Sequence, residues 1–253
     1  MLEQYIRNRL QEKNILLMTH IVMGYPSFEA SYKIVESMVD AGVDLMELQI
    51  PFSEPIADGP VILAANQHAL EKGATVHRCL QFAQEVTARF DIPFLIMSYF
   101  NIAYTYGVPR FVDTMASFGL RGSIIPDLPP EEGRQYLEEM ERRKLAPILI
   151  FSPNTSQTRL RYLAGFARGF IYCVARKGVT GMDTDFSRQI DDYLSRCRSA
   201  TGLPLALGFG VKDAEDIRFL TGKAEIAVIG TATIRLVQKH GVEAVSNYIS
   251  ALR

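Results

Sequence analysis

Short apolar runs alternate along the whole chain with stretches in which apolar residues recur every three or four positions. The runs lie at residues 15–22, 43–50, 93–99, 122–126, 146–151, 169–174, 204–207 and 225–229. Their length and their Val, Ile and Leu content predict β-strands. The helical patterns fall between them, at 27–41, as a split pair across 61–88, and at 108–118, 130–144, 157–165, 186–199, 214–220 and 231–252. The first ten residues predict one more helix, placed to cap a barrel floor. Several runs are apolar throughout rather than alternating, as parallel strands covered on both faces must be. Eight strand–helix units in 253 residues predict an α/β fold, a (β/α)8 TIM barrel with an extra N-terminal helix. No linker or composition break interrupts it, so residues 1–253 read as a single domain. A doubly wound open sheet is the alternative, but no G-x-G-x-x-G follows the first strand.

Composition narrows the function classes. The formal net charge is -1, which argues against nucleic acid, since that partner needs a clustered basic face. No apolar run reaches the length of a membrane span and no signal-peptide pattern opens the chain, so a cytoplasmic location is expected. Cys79, Cys173 and Cys197 are widely spaced and form neither a metal pattern nor a disulfide framework. They read as small hydrophobes in a reducing compartment.

The chemistry of such a barrel belongs at the C-terminal ends of its strands. Glu47, Asp58, Tyr99, Asn101, Asp127 and Tyr172 all fall at or just past those ends. A carboxylate on a buried strand costs several kcal/mol, about 2–7 for even an uncharged polar group, unless it is solvated, paired or used. Singly, Glu47 could face solvent at an edge and Asp58, before a glycine, could form a turn. Together, at different depths, two carboxylates can divide the work, one exchanging protons and one staying ionised. Three late loops are rich in small residues: 178–181, 208–210 and 230–231. Convergent backbone N–H groups with no side chain in the way suit a phosphate, and Thr231 can cap the last helix and offer its hydroxyl. One such loop would be only a tight turn; three neighbouring ones favour phosphate.

Several motifs carry a resemblance. Residues 47–60 read E-L-Q-I-P-F-S-E-P-I-A-D-G-P, preceded by M-G-Y-P at 23–26 and followed by S-Y-F-N at 98–101. I-P-D-L-P-P-E-E follows at 125–132, then F-S-P-N at 151–154, G-F-I-Y at 169–172, R-K-G-V-T-G at 176–181 and G-F-G at 208–210. In this combination, over essentially the whole length, the chain resembles the tryptophan synthase alpha subunit family. The resemblance implies a lyase of L-tryptophan biosynthesis that cleaves indole-3-glycerol phosphate to indole and glyceraldehyde 3-phosphate. It implies Glu47 as general acid and base, Asp58 as acceptor of the indole N–H, and Tyr172 against the substrate. His20 would line the indole pocket, where the family more often has an aromatic residue. Gly181, Gly210, Gly230 and Thr231 would hold the phosphate, and Thr180 would close over the site. Glu54, Asn101, Asp127 and Pro129 would meet a beta subunit in an alpha2beta2 heterotetramer. No metal and no cofactor is implied in this chain; pyridoxal phosphate is expected in the beta partner. The two prolines at 129–130 also suit the first turn of a helix.

Three positions depart from the family pattern: Gln49 replaces a glycine, Glu54 an aspartate and Thr231 a serine. Residues 47 and 49 share one side of a strand, so Gln49 is expected to project beside Glu47. There it would crowd the substrate or hydrogen-bond Glu47, and replacing it with glycine would raise the rate. An alpha-type barrel with weak or no lyase activity, serving mainly to bind and activate the beta subunit, is the alternative that this position suggests.

Overall fold

The computed structural model describes residues 1–175, 183–208 and 210–252. The chain opens with α1 (Leu2–Arg9), β1 (Leu16–Val22), α2 (Phe28–Asp40) and β2 (Leu45–Gln49). A long loop leads to α3 (Pro60–Glu71) and α4 (Val76–Arg89), then β3 (Phe94–Met97), α5 (Phe100–Tyr106), α6 (Val108–Ser117) and β4 (Gly122–Ile124). Next come α7 (Arg134–Arg142), β5 (Ala146–Phe151), α8 (Gln157–Phe166), β6 (Ile171–Val174), α9 (Asp183–Arg198) and β7 (Leu205–Gly208). The last part holds α10 (Ala214–Leu220), β8 (Ile226–Ile229), α11 (Thr231–His240), a 3-10 turn at Val242–Ala244 and α12 (Val245–Ser250). Neighbouring strands pair in parallel, and β8 pairs with β1, so the sheet closes into a barrel in chain order.

The strands are buried on both faces, and their side chains feed two cores. Outward-facing residues such as Leu17, Met46, Ile96 and Leu207 pack under the helices. Inward-facing ones such as Met18, Leu45, Leu95, Ile148 and Ile226 fill the barrel. Leu2 and Ile6 of α1 belong to that inner core, so α1 does plug the floor. Gly169 makes room for it. Its φ is +81° and a Cβ there would lie 2.8 Å from Leu2 Cδ2. Asp44, 1% exposed at the start of β2, ties the plug down. It accepts from Leu17 N at 3.0 Å and pairs with Arg9 at 3.2 Å and with Lys13. Local signals set the helix starts: Ser27, Thr75 and Ser156 each accept from a backbone N–H three residues on.

Four local expectations are corrected. Residues 100–106 were not expected to be helical, yet they form α5, whose first N–H is held by Asp127 from another loop. The helix expected from 130 starts at Arg134, so Pro130 precedes it and does not occupy its first turn. The helix expected over 231–252 breaks at Gly241, whose φ of +76° ends α11. Thr231 does not cap α11: Gly230 holds that position and Thr231 is the first helical residue.

Candidate active site

β1 and β2 place His20 and Glu47 side by side in register, Glu47 at the middle of β2. Both point into the barrel and both are almost fully buried, Glu47 at 2% exposure. Tyr172, across the barrel on β6, donates its hydroxyl to Glu47 Oε1 at 3.4 Å. Burial first, and then the Glu47 charge, push the Tyr172 pKa well above its ordinary value, so the phenol keeps its proton. His20 Nδ1 lies 3.7 Å from the other Glu47 oxygen. Burial works against its imidazolium, but the Glu47 carboxylate and the Asp58 charge outweigh that and raise the His20 pKa. Glu47 is thus an acid with a protonated phenol on one oxygen and a chargeable ring at the other.

Gly208 on β7 is what lets Tyr172 lie there. A Cβ at Gly208 would come within 3.1 Å of the tyrosine ring. This need for a missing side chain is a role that the expected phosphate turn at 208–210 did not include.

Asp58 stands on the loop after β2, shallower than Glu47. Its Oδ2 accepts from Gln49 Nε2 at 2.6 Å and from Asn66 Nδ2 at 3.2 Å. Asn66, fully buried on α3, also donates to Ile62 O at 2.9 Å and accepts from Phe52 N at 3.1 Å. Ala57 N donates to the Tyr99 hydroxyl at 3.1 Å, and the Tyr99 ring stacks on Phe52 at 5.1 Å. Burial pushes the Asp58 pKa up, and the amides of Gln49 and Asn66, the His20 charge and Tyr99 pull against it. The two carboxylates therefore sit at different depths with different partners, as expected of the pair.

The expectation for Gln49 is overturned in detail. It shares the Glu47 side of β2 and is fully buried, but no hydrogen bond joins it to Glu47. Its amide turns to the loop, toward Asp58 and Asn66. Asn66 itself was missed. The clue in the sequence was a polar residue nearly two turns into an otherwise apolar stretch of the helix that begins at Pro60.

His20, Glu47, Asp58 and Tyr172 line a cavity of about 440 Å³ at the mouth, whose wall also carries Gly210, Gly230 and Thr231. That is the size of an ordinary small-molecule site. Gly210 has φ of +92° with open space where a Cβ would stand. Gly230 caps α11, whose first N–H groups have no partner within the helix. Lys212 and Arg235 join this wall, two cations that the glycine pattern did not reveal. Thr180 and Gly181 lie outside the described residues. A larger groove, about 650 Å³, opens on the outer wall between α1, α7 and α8. Two of its charged residues are spent on neighbours, Arg134 on Glu138 and Glu131 on Arg159, so its size brings no comparable chemistry.

At the rim, Glu54, Asn101 and Pro129 are exposed. The segments of Glu54 and Asn101 also carry two exposed large apolar side chains, Ile56 on the loop after β2 at 81% and Tyr104 on α5 at 71% exposure, which the sequence did not single out. Asp127 is different from its expected rim neighbours. It is half-buried, and both its oxygens accept from Phe100 N, at 2.9 and 3.1 Å, so its first duty is to hold α5.

Comparison with known proteins agrees with this geometry. The tryptophan synthase alpha chain family model matches residues 6–251. The tryptophan synthase alpha chain of Desulforapulum autotrophicum is 63% identical, with all of both chains covered. That of Syntrophotalea carbinolica is 58% identical, again with all of both chains covered. Among solved structures, the tryptophan synthase alpha subunit of Legionella pneumophila superposes with a TM-score of 0.89 at 27% identity, covering 99% of this chain and 96% of that one.

Proposed function

The chain belongs to the tryptophan synthase alpha chain family, and from that premise we propose how its own residues carry the family's reaction. It is a lyase: it catalyses the cleavage of indole-3-glycerol phosphate to indole and glyceraldehyde 3-phosphate, a half-reaction of L-tryptophan synthesis. Its partner is the beta subunit, which carries the pyridoxal phosphate; the alpha chain has no cofactor of its own.

Glu47 protonates the indole carbon that bears the glycerol chain. The ring becomes a cationic tautomer that draws in the electron pair of the bond to the side chain. As that bond breaks, the adjacent hydroxyl loses its proton to the same carboxylate and becomes the aldehyde of glyceraldehyde 3-phosphate. The single observation that carries this assignment is the placing of Glu47: buried on β2, lining the cavity, with Tyr172 and His20 at its two oxygens. Tyr172 keeps the carboxylate oriented between the two transfers. Asp58 accepts the indole N–H and balances the positive charge of the tautomer, which a carboxylate in a dry site does strongly. His20 lines the indole pocket beside Glu47.

Gly210, Gly230 and Thr231 bind the phosphate through backbone N–H groups and the α11 N-terminus, with Lys212 and Arg235 adding positive charge. Thr180 and Gly181 are assigned to phosphate binding by the family resemblance alone. The rim of Glu54, Ile56, Asn101, Tyr104 and Pro129 faces the beta subunit in an alpha2beta2 assembly, so indole leaves the mouth toward its acceptor. The exposed apolar side chains of Ile56 and Tyr104 support a docking role. We read residues 1–253 as one domain, and the location as cytoplasmic; no helix among the described residues is long and apolar enough to cross a membrane.

Indole release from indole-3-glycerol phosphate, followed with and without the beta subunit, tests this reading. Turnover is expected in both, faster in the complex. A chain that binds beta but releases no indole would restore the partner-activating alternative.

A further inference from the structure

Gln49 was expected to be an obstacle; its contacts give it a different part. Both protons of its amide are used, one on Asp58 Oδ2 at 2.6 Å and one on Asn66 Oδ1 at 3.3 Å. Asn66 in turn donates to the same Asp58 oxygen at 3.2 Å and anchors the loop through Phe52 N. Gln49, Asn66 and Asp58 thus form a closed triangle, with both amides fully buried. Gln49 Oε1 has no hydrogen-bond partner. The amide is held from one end only, and a flipped amide would set its oxygen against the carboxylate. A buried amide with an unused oxygen costs stability, so what Gln49 gains is the bond to Asp58.

We propose that Gln49 is a positioning residue for the lyase reaction, fixing the Asp58 carboxylate in the orientation that receives the indole N–H. The proposal rests on the reading of Asp58 as the indole acceptor. Gln49 reaches Asp58 from a rigid strand, whereas Asp58 itself stands on a loop. Short bonds from a fixed amide reduce the freedom of that loop, and geometry fixed before binding is worth rate. Donation to the carboxylate also favours its ionised form. Among the described residues, the titratable groups that face Asp58 from the surrounding elements are His20, Glu47, Tyr99 and Tyr172. Removing the Gln49 amide leaves all four side chains in place, but Gln49 also helps to raise the His20 pKa, so the His20 ring is titrated by NMR alongside and a shift of the acid limb is read against it.

The test compares wild type, Gln49→Met, Gln49→Gly, Asp58→Asn and the Gln49→Met/Asp58→Asn double variant, each saturated with beta subunit. Methionine keeps the length of the side chain and removes both amide atoms. Both single Gln49 variants should lose about tenfold or more in kcat, with a smaller change in KM. The acid limb of their kcat–pH profile should move up by about 0.5–1 pH unit, because the ionised carboxylate has lost a donor. Binding of glycerol 3-phosphate, measured by calorimetry, should not change. The double variant should be no slower than Asp58→Asn alone. Wild-type kcat with an unmoved acid limb in either Gln49 variant overturns the proposal. So does a double variant whose losses multiply, or a loss of glycerol 3-phosphate binding, which would mark Gln49 as merely structural. If Asp58→Asn itself runs at the wild-type rate, the indole-acceptor reading of Asp58 fails instead.

Discussion

Replacing Glu47 with glutamine keeps the shape of the side chain and removes its proton chemistry. The amide can still accept from Tyr172 Oη, now 3.4 Å from Oε1, so the site need not rearrange. A positioned proton donor is worth about 10²–10⁴ in rate, and at 1.36 kcal/mol per decade that is about 2.7–5.4 kcal/mol of barrier. Glu47 is asked for two transfers in one turnover, so the loss should fall at the upper end. Tyr172 is no substitute, because burial and the Glu47 charge hold it protonated. A second readout comes from His20. The Glu47 carboxylate leads the influences that raise its pKa against burial. In the variant, burial gains the upper hand and the His20 pKa should fall, which an NMR titration of the ring measures. The sign also bears on stability. With a folded-state pKa above the ordinary histidine value of 6.5, His20 adds stability below that value and loses it as pH rises through the folded pKa. The glutamine variant should therefore lose stability relative to wild type at acid pH and much less at alkaline pH. Single-turnover indole release in saturating beta subunit is the decisive assay. Wild-type-like turnover would refute Glu47 as the acid and base, and an unmoved His20 titration would refute the coupling.

Three further outcomes follow from the same geometry. Asp58→Asn should cost about 10²–10³ in kcat, the usual loss for one member of a charge-stabilising site. Because burial raises the Asp58 pKa in the fold, its stabilising effect is largest at low pH and falls as pH rises through that value. Calorimetric melts should then favour the asparagine variant more at pH 8 than at pH 5, and an equal gap at both would contradict the shift. Gly169→Ala places a Cβ 2.8 Å from Leu2 Cδ2 at a φ of +81° and should cost about 1–3 kcal/mol, read by urea unfolding; a wild-type midpoint would mean that α1 yields freely. Combining Ile56→Asp with Tyr104→Ala should weaken co-elution with the beta subunit while leaving glycerol 3-phosphate affinity intact, and undiminished co-elution would remove the rim from the interface.

The barrel was legible in the sequence because parallel strands buried on both faces leave unbroken apolar runs, and because eight of them alternate with amphipathic stretches. The site was legible as positions, since acids and glycines gathered at the strand ends. Their partners were not. Gln49 could be assigned to the Glu47 side of β2, but the direction of its amide depends on where the loop returns Asp58 and on Asn66, both set by tertiary packing. α5 was hidden for a similar reason. Its sequence, FNIAYTY, is aromatic and β-branched and follows an apolar strand directly, while the carboxylate that starts it comes from Asp127, 27 residues away. The exposed Ile56 and Tyr104 look in sequence like two more core residues.

The closure of the barrel has a consequence for how the chain is made. β1 is hydrogen-bonded on one side by β2 and on the other by β8, with Leu16 opposite Ile226. On a ribosome the first strand therefore waits with one edge bare until the last one emerges. The floor plug waits as well, because the surface that receives Leu2 includes Gly169. Early synthesis yields an open half-barrel with apolar faces exposed, and Leu2 and Ile6 of the first helix have no floor to enter. Slow elongation or premature termination would leave that edge free to pair with another nascent chain. Here the risk of aggregation lies in the order of translation, and any chaperone that shields residues near the start of the chain would act on it directly.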